Sequence, residues 1–244
     1  MDDFPLVLIL TGGLGTRLKS VVSDRPKALA EADGVPFLDI QLSWLAKQGA
    51  QDVVLLTGFK AQNIDSYVGD GSSWNLRLRC LRESSPLGTG GAILNAASEL
   101  NLTKDLLVLN GDSLTEVSLT EFFAKGKTSN YAGIVVVRQE NSQRFGTVEF
   151  DSNDYLVRFR EKSKNPKSGW INAGIYYFPA GWFEKSKTNN YPVSFENDLI
   201  PQWLSQGRSM KVFPNRGKFI DIGTPESFNL FQQQGKFWRQ KTLH

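Results

Sequence analysis

The stretch from Pro5 to Thr11 is a continuous apolar run bounded by glycines, the pattern of a strand buried on both faces as parallel strands are. Between Pro36 and Gly49, Leu38, Leu42, Leu45 and Ala46 fall at helical spacing, with a proline near the start and a glycine at the end. DVVLLT at Asp52 to Thr57 predicts the next strand. A short helical stretch near Ala61 to Val68, a strand at Leu76 to Arg82 and a helix opening near Thr89 follow. Asp105 to Leu109 and Ile134 to Val137 supply two more buried strands. This βαβα alternation predicts a doubly wound α/β fold, its mixed, mostly parallel sheet flanked by helices.

Beyond Gln139 the rhythm changes. Gly146 to Asp151, Tyr155 to Arg160 and Asn172 to Phe178 read as strands of an inserted mixed or antiparallel region, with Asn153 and Asp154 as a turn. Helices are expected near Phe195 to Gln206 and Pro225 to Arg239, flanking a short strand pair around Lys211 to Phe213 and Lys218 to Ile222. No internal repeat, low-complexity tract or long linker interrupts the chain. The 244 residues are therefore expected to form a single domain: residues 1–139 and 140–230 as its two functional parts, and 225–244 as a C-terminal helix.

Composition narrows the chemistry. A 40% hydrophobic fraction with 11% aromatics belongs to a folded chain. No apolar stretch approaches the ~20 residues that span a bilayer, and Asp2 and Asp3 stand where a signal peptide would be basic, so a cytoplasmic protein with no membrane partner is expected. One cysteine, Cys80, makes neither an internal disulfide nor a cysteine-rich zinc site. A net charge of +3, with no basic run interleaved with aromatics, argues against nucleic acid and for a small anion as ligand. The only histidine is the terminal His244, which disfavours histidine bases, nucleophiles and metal ligands.

The anion is suggested by Leu8 to Leu29, LILTGGLGTRLKSVVSDRPKAL. A dinucleotide fingerprint fails here, because Leu18 holds the third glycine position and no acidic residue ends the second strand. A P-loop fails at the same Leu18. The whole stretch supports a third reading, in which Gly12, Gly13 and Gly15 let backbone N–H groups approach a triphosphate while Arg17 and Lys27 bring cations to it. Pro26 would stiffen the backbone that presents Lys27. Alone, the loop is equally compatible with an ordinary glycine-rich βα turn.

Four more stretches bear on the choice: ESSPLGTGGA (Glu83 to Ala92), LNGDS (Leu109 to Ser113), FREKS with INAGIY (Phe159 to Ser163, Ile171 to Tyr176) and FIDIGTPESF (Phe219 to Phe228). With GGLGTR and PK, in this order, they resemble the sugar-1-phosphate nucleotidyltransferases, over about residues 5–230. PLGTGGA, RFGTV (Arg144 to Val148) and FIDIGTPE look most like the D-glycero-α-D-manno-heptose 1-phosphate guanylyltransferases within that family. The resemblance implies a Rossmann-like nucleotide-diphospho-sugar transferase fold, with 1–139 mainly binding nucleotide and 140–230 mainly binding sugar phosphate. It implies a reaction of a nucleoside triphosphate with a sugar 1-phosphate, giving a nucleotide-sugar for glycan precursors (capsule or lipopolysaccharide) and pyrophosphate. A homo-oligomer is compatible with it.

The resemblance maps Arg17 and Lys27 onto triphosphate contacts, Lys162 onto the sugar phosphate, and Asp112 and Asp221 onto a pair holding Mg²⁺ or another divalent cation. Gly12, Gly13, Gly15, Thr16, Glu83, Gly88, Thr89 and Gly111 fall on the nucleotide side; Gly146, Glu161, Asn172 and Gly174 fall on the sugar side. On residue type alone, Asp112 and Asp221 are also compatible with turns or caps, Lys162 with a solvated charge, Glu161 with a surface ion pair and Asn172 with a turn. A phosphate monoester has its second pKa near ~6, so the attacking oxygen is already ionised at neutral pH and no general base is needed. Glu83 favours GTP, because a carboxylate can accept both N1–H and N2–H of guanine; UTP and dTTP come next. Hexose 1-phosphates, mannose above all, stay open as the sugar, as do uridylyl, thymidylyl or cytidylyl transfer. Two other classes also stay open: a non-catalytic relative that senses nucleotide-sugars, and a glycosyltransferase, although LNGDS lacks a DxD-type second aspartate.

Overall fold

A computed structural model describes residues 4–18, 20–142, 144–160, 168–184, 186 and 191–243. In chain order the elements begin with β1 (Leu6–Leu10), β2 (Glu31–Ala32), β3 (Val35–Pro36), α1 (Phe37–Lys47), β4 (Asp52–Thr57), α2 (Ala61–Val68), β5 (Arg77–Arg82), α3 (Gly88–Glu99) and β6 (Leu106–Asn110). They continue with β7 (Ser113–Thr115), α4 (Leu119–Ser129), β8 (Ala132–Gln139), β9 (Thr147–Phe150), β10 (Leu156–Arg160), β11 (Gly169–Phe178), α5 (Ile200–Ser205), β12 (Met210–Asn215), β13 (Phe219–Asp221) and α6 (Pro225–Leu243). The chain divides into two compact units, one of Met1–Pro86, Leu109–Leu114 and Ile220–His244, the other of Leu87–Val108 and Thr115–Phe219.

In the first unit β1 and β5 both pair with β4 in parallel, Val7 opposite Val53 and Val53 opposite Leu78. Val7, Leu8 and Ile9 are wholly buried, as a run without alternation requires of a strand covered on both faces. α1 packs on α6 through Phe37 and Phe231, edge to face at 5.2 Å. On α6, Gly235 lies against β2, where a Cβ would stand 3.0 Å from the Ala32 side chain.

In the second unit β11 runs antiparallel to β8, β12 runs parallel to β8, and the β9–β10 hairpin joins β11 where Thr147 pairs with Ile171. Its turn falls at Asn153 and Asp154 as expected, with Asp154 in the left-handed region at φ 62°. Tyr176, Phe178, Phe195 and Trp203 interlock edge to face at 4.7 to 5.9 Å and form an aromatic core. The α/β class is thus as predicted, with parallel strands and helices first and mixed pairing, antiparallel through β9, β10 and β11, after Gln139.

Two local expectations are corrected. The strands around Lys211 and Lys218 do not pair with each other: β12 lies on β8 and β13 on β7. The connecting turn is drawn to residues 115–116 instead, where Glu116 N–H donates to Lys218 O at 2.9 Å and Asn215 Nδ2 donates to Glu116 O at 3.0 Å. The helix expected from Phe195 to Gln206 opens as a π turn, Phe195–Leu199, before α5, whose first turn contains Pro201. α6, Pro225–Leu243, matches the C-terminal helix expected over residues 225–244. Among the described residues no helix is long and apolar enough to cross a membrane.

Candidate active site

In the first unit the glycine-rich loop leaves β1 at Thr11, whose N–H and Oγ1 both bond to Leu56 O at 3.0 Å. Leu18 is 1% exposed and accepts at its carbonyl from Val21 and Val22, so the residue that spoils both competing phosphate fingerprints is a hydrophobic anchor closing the loop. Gly13, Thr16 and Arg17 remain exposed, and a Cβ at Gly13 would meet nothing within 4 Å. Gly15 takes φ 58°, and a Cβ there would press on the Lys27 side chain at 3.3 Å. Buried Pro26 precedes a 3₁₀ turn, Lys27–Leu29, from which the Lys27 side chain, 15% exposed, reaches Asp112.

Lys27 Nζ lies 2.5 Å from Asp112 Oδ2. The backbone around Asp112 is held at three points. Gly111 N–H donates to Leu10 O at 3.1 Å, and only glycine fits, because a Cβ would come within 2.6 Å of that oxygen. Gln41, fully buried on α1, donates from Nε2 to Asn110 O at 2.9 Å and to Ser113 O at 3.2 Å, bracketing Asp112. Ile222 N–H donates to Asp112 O at 2.9 Å, which ties the residue after Asp221 to the same turn. The position of a Cβ on Gly223 would be 2.8 Å from Asp221 Oδ2, 3.7 Å from Lys27 Nζ and 3.8 Å from an Arg17 guanidinium nitrogen. Arg17, Lys27, Asp112 and Asp221 therefore converge: two cations and two carboxylates at the ends of buried strands.

A second cluster forms where β4 and β5 end. Glu83 N–H donates to Thr57 O at 2.9 Å, and Glu83 Oε1 lies against the bare backbones of Gly12 and Gly58. A Cβ at Gly12 would be 2.7 Å from that oxygen, and one at Gly58 would overlap it. The loop thus meets the Glu83 carboxylate at its first glycine and Lys27 at Gly15.

In the second unit Gly88 opens α3 at φ 75°, where a Cβ would strike the Val193 backbone, and Thr89 Oγ1 accepts from Phe195 N–H at 2.9 Å. Both residues fasten α3 to the 193–195 segment. INAGIY forms an irregularity in β11: the register with β8 shifts between Asn172 and Tyr176, and Gly174 takes φ 74°. Asn172 Oδ1 accepts from Gly174 N–H at 2.8 Å, its Nδ2 donates to the Tyr176 hydroxyl, and that hydroxyl donates to Glu196 Oε1 at 2.9 Å. Gly146 makes room for the Arg160 carbonyl, 2.7 Å from where its Cβ would be. Glu161 and Lys162 lie outside the described residues.

The family model for nucleotidyl transferases matches residues 6–235. The chain belongs to the nucleotidyl transferase family. This nucleotidyltransferase is 34% identical over 225 residues to a mannose-1-phosphate guanylyltransferase of Mycobacterium tuberculosis; the match covers 91% of the chain but 62% of that longer protein. It is also 34% identical over 225 residues to a D-glycero-alpha-D-manno-heptose 1-phosphate guanylyltransferase of Campylobacter jejuni, covering 92% of the chain and 97% of the relative. The crystal structure of HddC from Yersinia pseudotuberculosis complexed with GMP-PN superposes with a TM-score of 0.83 at 32% identity, over 95% of this chain and 100% of that one.

Two residues that bond to or around the candidate side chains escaped the motif reading, Gln41 in the first unit and Glu196 in the second. Gln41 had a signal, being a polar side chain in line with Leu38 and Leu45 on the apolar face of α1. Glu196 had none, since the chain beyond Ser194 shows only helical spacing. Among the described residues no group of three or more His, Cys, Asp or Glu side chains is placed to hold a metal. Two carboxylates beside a cationic loop nevertheless fit Mg²⁺, which takes one or two protein carboxylates and completes its shell with phosphate oxygens and water.

Proposed function

We propose that the protein transfers the guanylyl group of GTP to a sugar 1-phosphate, D-glycero-α-D-manno-heptose 1-phosphate first among candidates, releasing pyrophosphate. The observation that carries this reading is one loop with two unlike ends. At Gly12 it abuts a carboxylate suited to the paired N–H donors of guanine, and from Gly15 onward it meets Arg17, Lys27, Asp112 and Asp221. A base reader and a polyphosphate grip at opposite ends of a short loop match a nucleoside triphosphate in chemistry and order. The relatives named for heptose 1-phosphate and mannose 1-phosphate guanylyl transfer support the base and the sugar class.

In this mechanism an ionised oxygen of the sugar phosphate attacks the α-phosphorus, and the bond from that phosphorus to the β-phosphate bridging oxygen breaks. Glu83 orients guanine, while Arg17 and Lys27 offset charge on the phosphates, so catalysis is positioning plus electrostatics. Lys27 exchanges its Asp112 partner for phosphate oxygens when nucleotide arrives. Asp112 and Asp221 would hold Mg²⁺, which when bound supplies charge neutralisation at the triphosphate. Lys162 takes the sugar phosphate, and Asn172, oriented by Tyr176, meets a sugar hydroxyl. Such an enzyme works in the cytoplasm on glycan precursors.

Mannose 1-phosphate is the second reading, on the strength of the mycobacterial relative. Pyrophosphate release measured for four nucleoside triphosphates against heptose, mannose and glucose 1-phosphates tests the proposal. GTP with heptose 1-phosphate should give the highest kcat/KM; a higher value for UTP or dTTP would overturn the base, and one for mannose 1-phosphate the sugar.

A further inference from the structure

Asp221 ends β13 four residues before α6 begins at Pro225, and its carboxylate is caught in a knot of bonds there. Asp221 Oδ2 accepts from Gly223 N–H at 2.8 Å and from Ser227 Oγ at 3.1 Å. Thr224 and Ser227 cap the helix reciprocally: Ser227 N–H donates to Thr224 Oγ1 at 3.3 Å, and Thr224 N–H donates to Ser227 Oγ at 3.1 Å. The single hydroxyl proton of Ser227 is shared between Asp221 Oδ2 and Thr224 O, both at 3.1 Å. Ser227 is 1% exposed. Capping requires Ser227 only to accept, and an exposed hydroxyl would serve. A buried hydroxyl within hydrogen-bond reach of a carboxylate oxygen is a different arrangement, and it brings two donors, Ser227 Oγ and Gly223 N–H, to one and the same oxygen of Asp221.

We propose that Ser227 is a positioning residue for Asp221. With Gly223 N–H it pins Oδ2 and fixes the plane of the carboxylate that would hold a divalent cation. Glycine at 223 belongs to the same device, since a Cβ there would sit 2.8 Å from Oδ2 and force the carboxylate aside. The inference rests on the assignment of Asp112 and Asp221 as cation ligands. Outer groups that orient a ligating carboxylate typically change metal affinity 10- to 100-fold when removed, which sets the expected size.

The test counts bound Mn²⁺, standing in for Mg²⁺, from loss of the free aqueous ion's paramagnetic resonance signal, with a non-hydrolysable GTP analogue present. Ser227→Ala should weaken Mn²⁺ binding about 10- to 100-fold. Thr224→Ala removes a cap of the same helix but leaves the Ser227–Asp221 bond, and should stay within about 3-fold of the parent. Ser227→Cys, close in volume and a poor donor, should follow the alanine variant, and it serves in its place if that variant does not fold. Unchanged Mn²⁺ affinity in Ser227→Ala or Ser227→Cys overturns the proposal, as does an equal loss in Thr224→Ala. Asp221→Ala separates the two levels: if it binds Mn²⁺ like the parent, the cation assignment itself falls, whereas its loss beside a normal Ser227→Ala convicts only the positioning role.

Discussion

A methyl group at residue 12 is the most selective perturbation the base site offers. The new Cβ of Gly12→Ala would lie 2.7 Å from Glu83 Oε1, but 3.3 Å from Gly58 N and 3.4 Å from Thr57 C. Ordinary contact begins near 3.4 Å, so the backbone barely needs to move while the carboxylate must retreat by about 0.7 Å (3.4 − 2.7). Misplacing a reacting or recognising group by ~1 Å costs about 100-fold, and scaling to this retreat gives about 25-fold, or ~2 kcal/mol. That lies inside the ~1.5–3 kcal/mol of a hydrogen bond to a charged group. The assay is kcat/KM for GTP and for UTP with one sugar 1-phosphate, read as pyrophosphate. GTP should lose about 25-fold and UTP far less, which collapses the preference. Glu83→Gln should move the ratio the same way, and the double variant should be no worse than the stronger single, because both act through one carboxylate. Equal losses on both nucleotides, or an unmoved ratio in Glu83→Gln, would refute the reasoning.

Asp112→Ala and Asp221→Ala should each lower turnover by several orders of magnitude while circular dichroism shows the fold intact; full activity in either would remove it from the cation pair. Tyr176→Phe deletes the link between Asn172 and Glu196 and should raise KM for the sugar 1-phosphate about 10-fold, the worth of about one hydrogen bond, leaving the Kd for GTP unchanged in a calorimetric titration. A shift in GTP affinity instead would detach Asn172 from the sugar. The Cys80 thiol is pushed up to about 12, by burial first and then by Asp65, so it is neutral at pH 8 and should resist a thiol-reactive chromogen in the folded protein while reacting after denaturation. Stoichiometric labelling of the folded protein within minutes would contradict that environment.

What could be read from the sequence was local. Asp52–Thr57 and Ala61–Val68 were legible to the residue, since an unbroken apolar run and a helical stretch are each closed by a glycine, Gly58 and Gly69. α4 was missed although it carries a readable start: Ser118 Oγ accepts from Glu121 N–H at 3.2 Å, as the Ser-Leu-Thr-Glu spacing suggests. The partners of β12 and β13 could not be read, because each lies in distant chain: β8 at Ala132–Val137 for β12, and β7 beside Thr115, about a hundred residues away, for β13. The site divides in the same way. Arg17, Lys27, Asp112 and Asp221 stand in motifs that resemblance picks out, whereas the fit of Glu83 against Gly12 and Gly58 joins the ends of three strands and exists only once they are folded side by side.

The central claim is that the bond broken lies between the α- and β-phosphates of GTP. Incubating the protein with sugar 1-phosphate and Mg²⁺, using GTP labelled with ³²P at either the α or the γ position, tests it most directly. The α label should appear in the nucleotide-sugar and the γ label in pyrophosphate, in equal amounts. A γ label on the sugar, or released as inorganic phosphate with GDP left behind, would contradict the account.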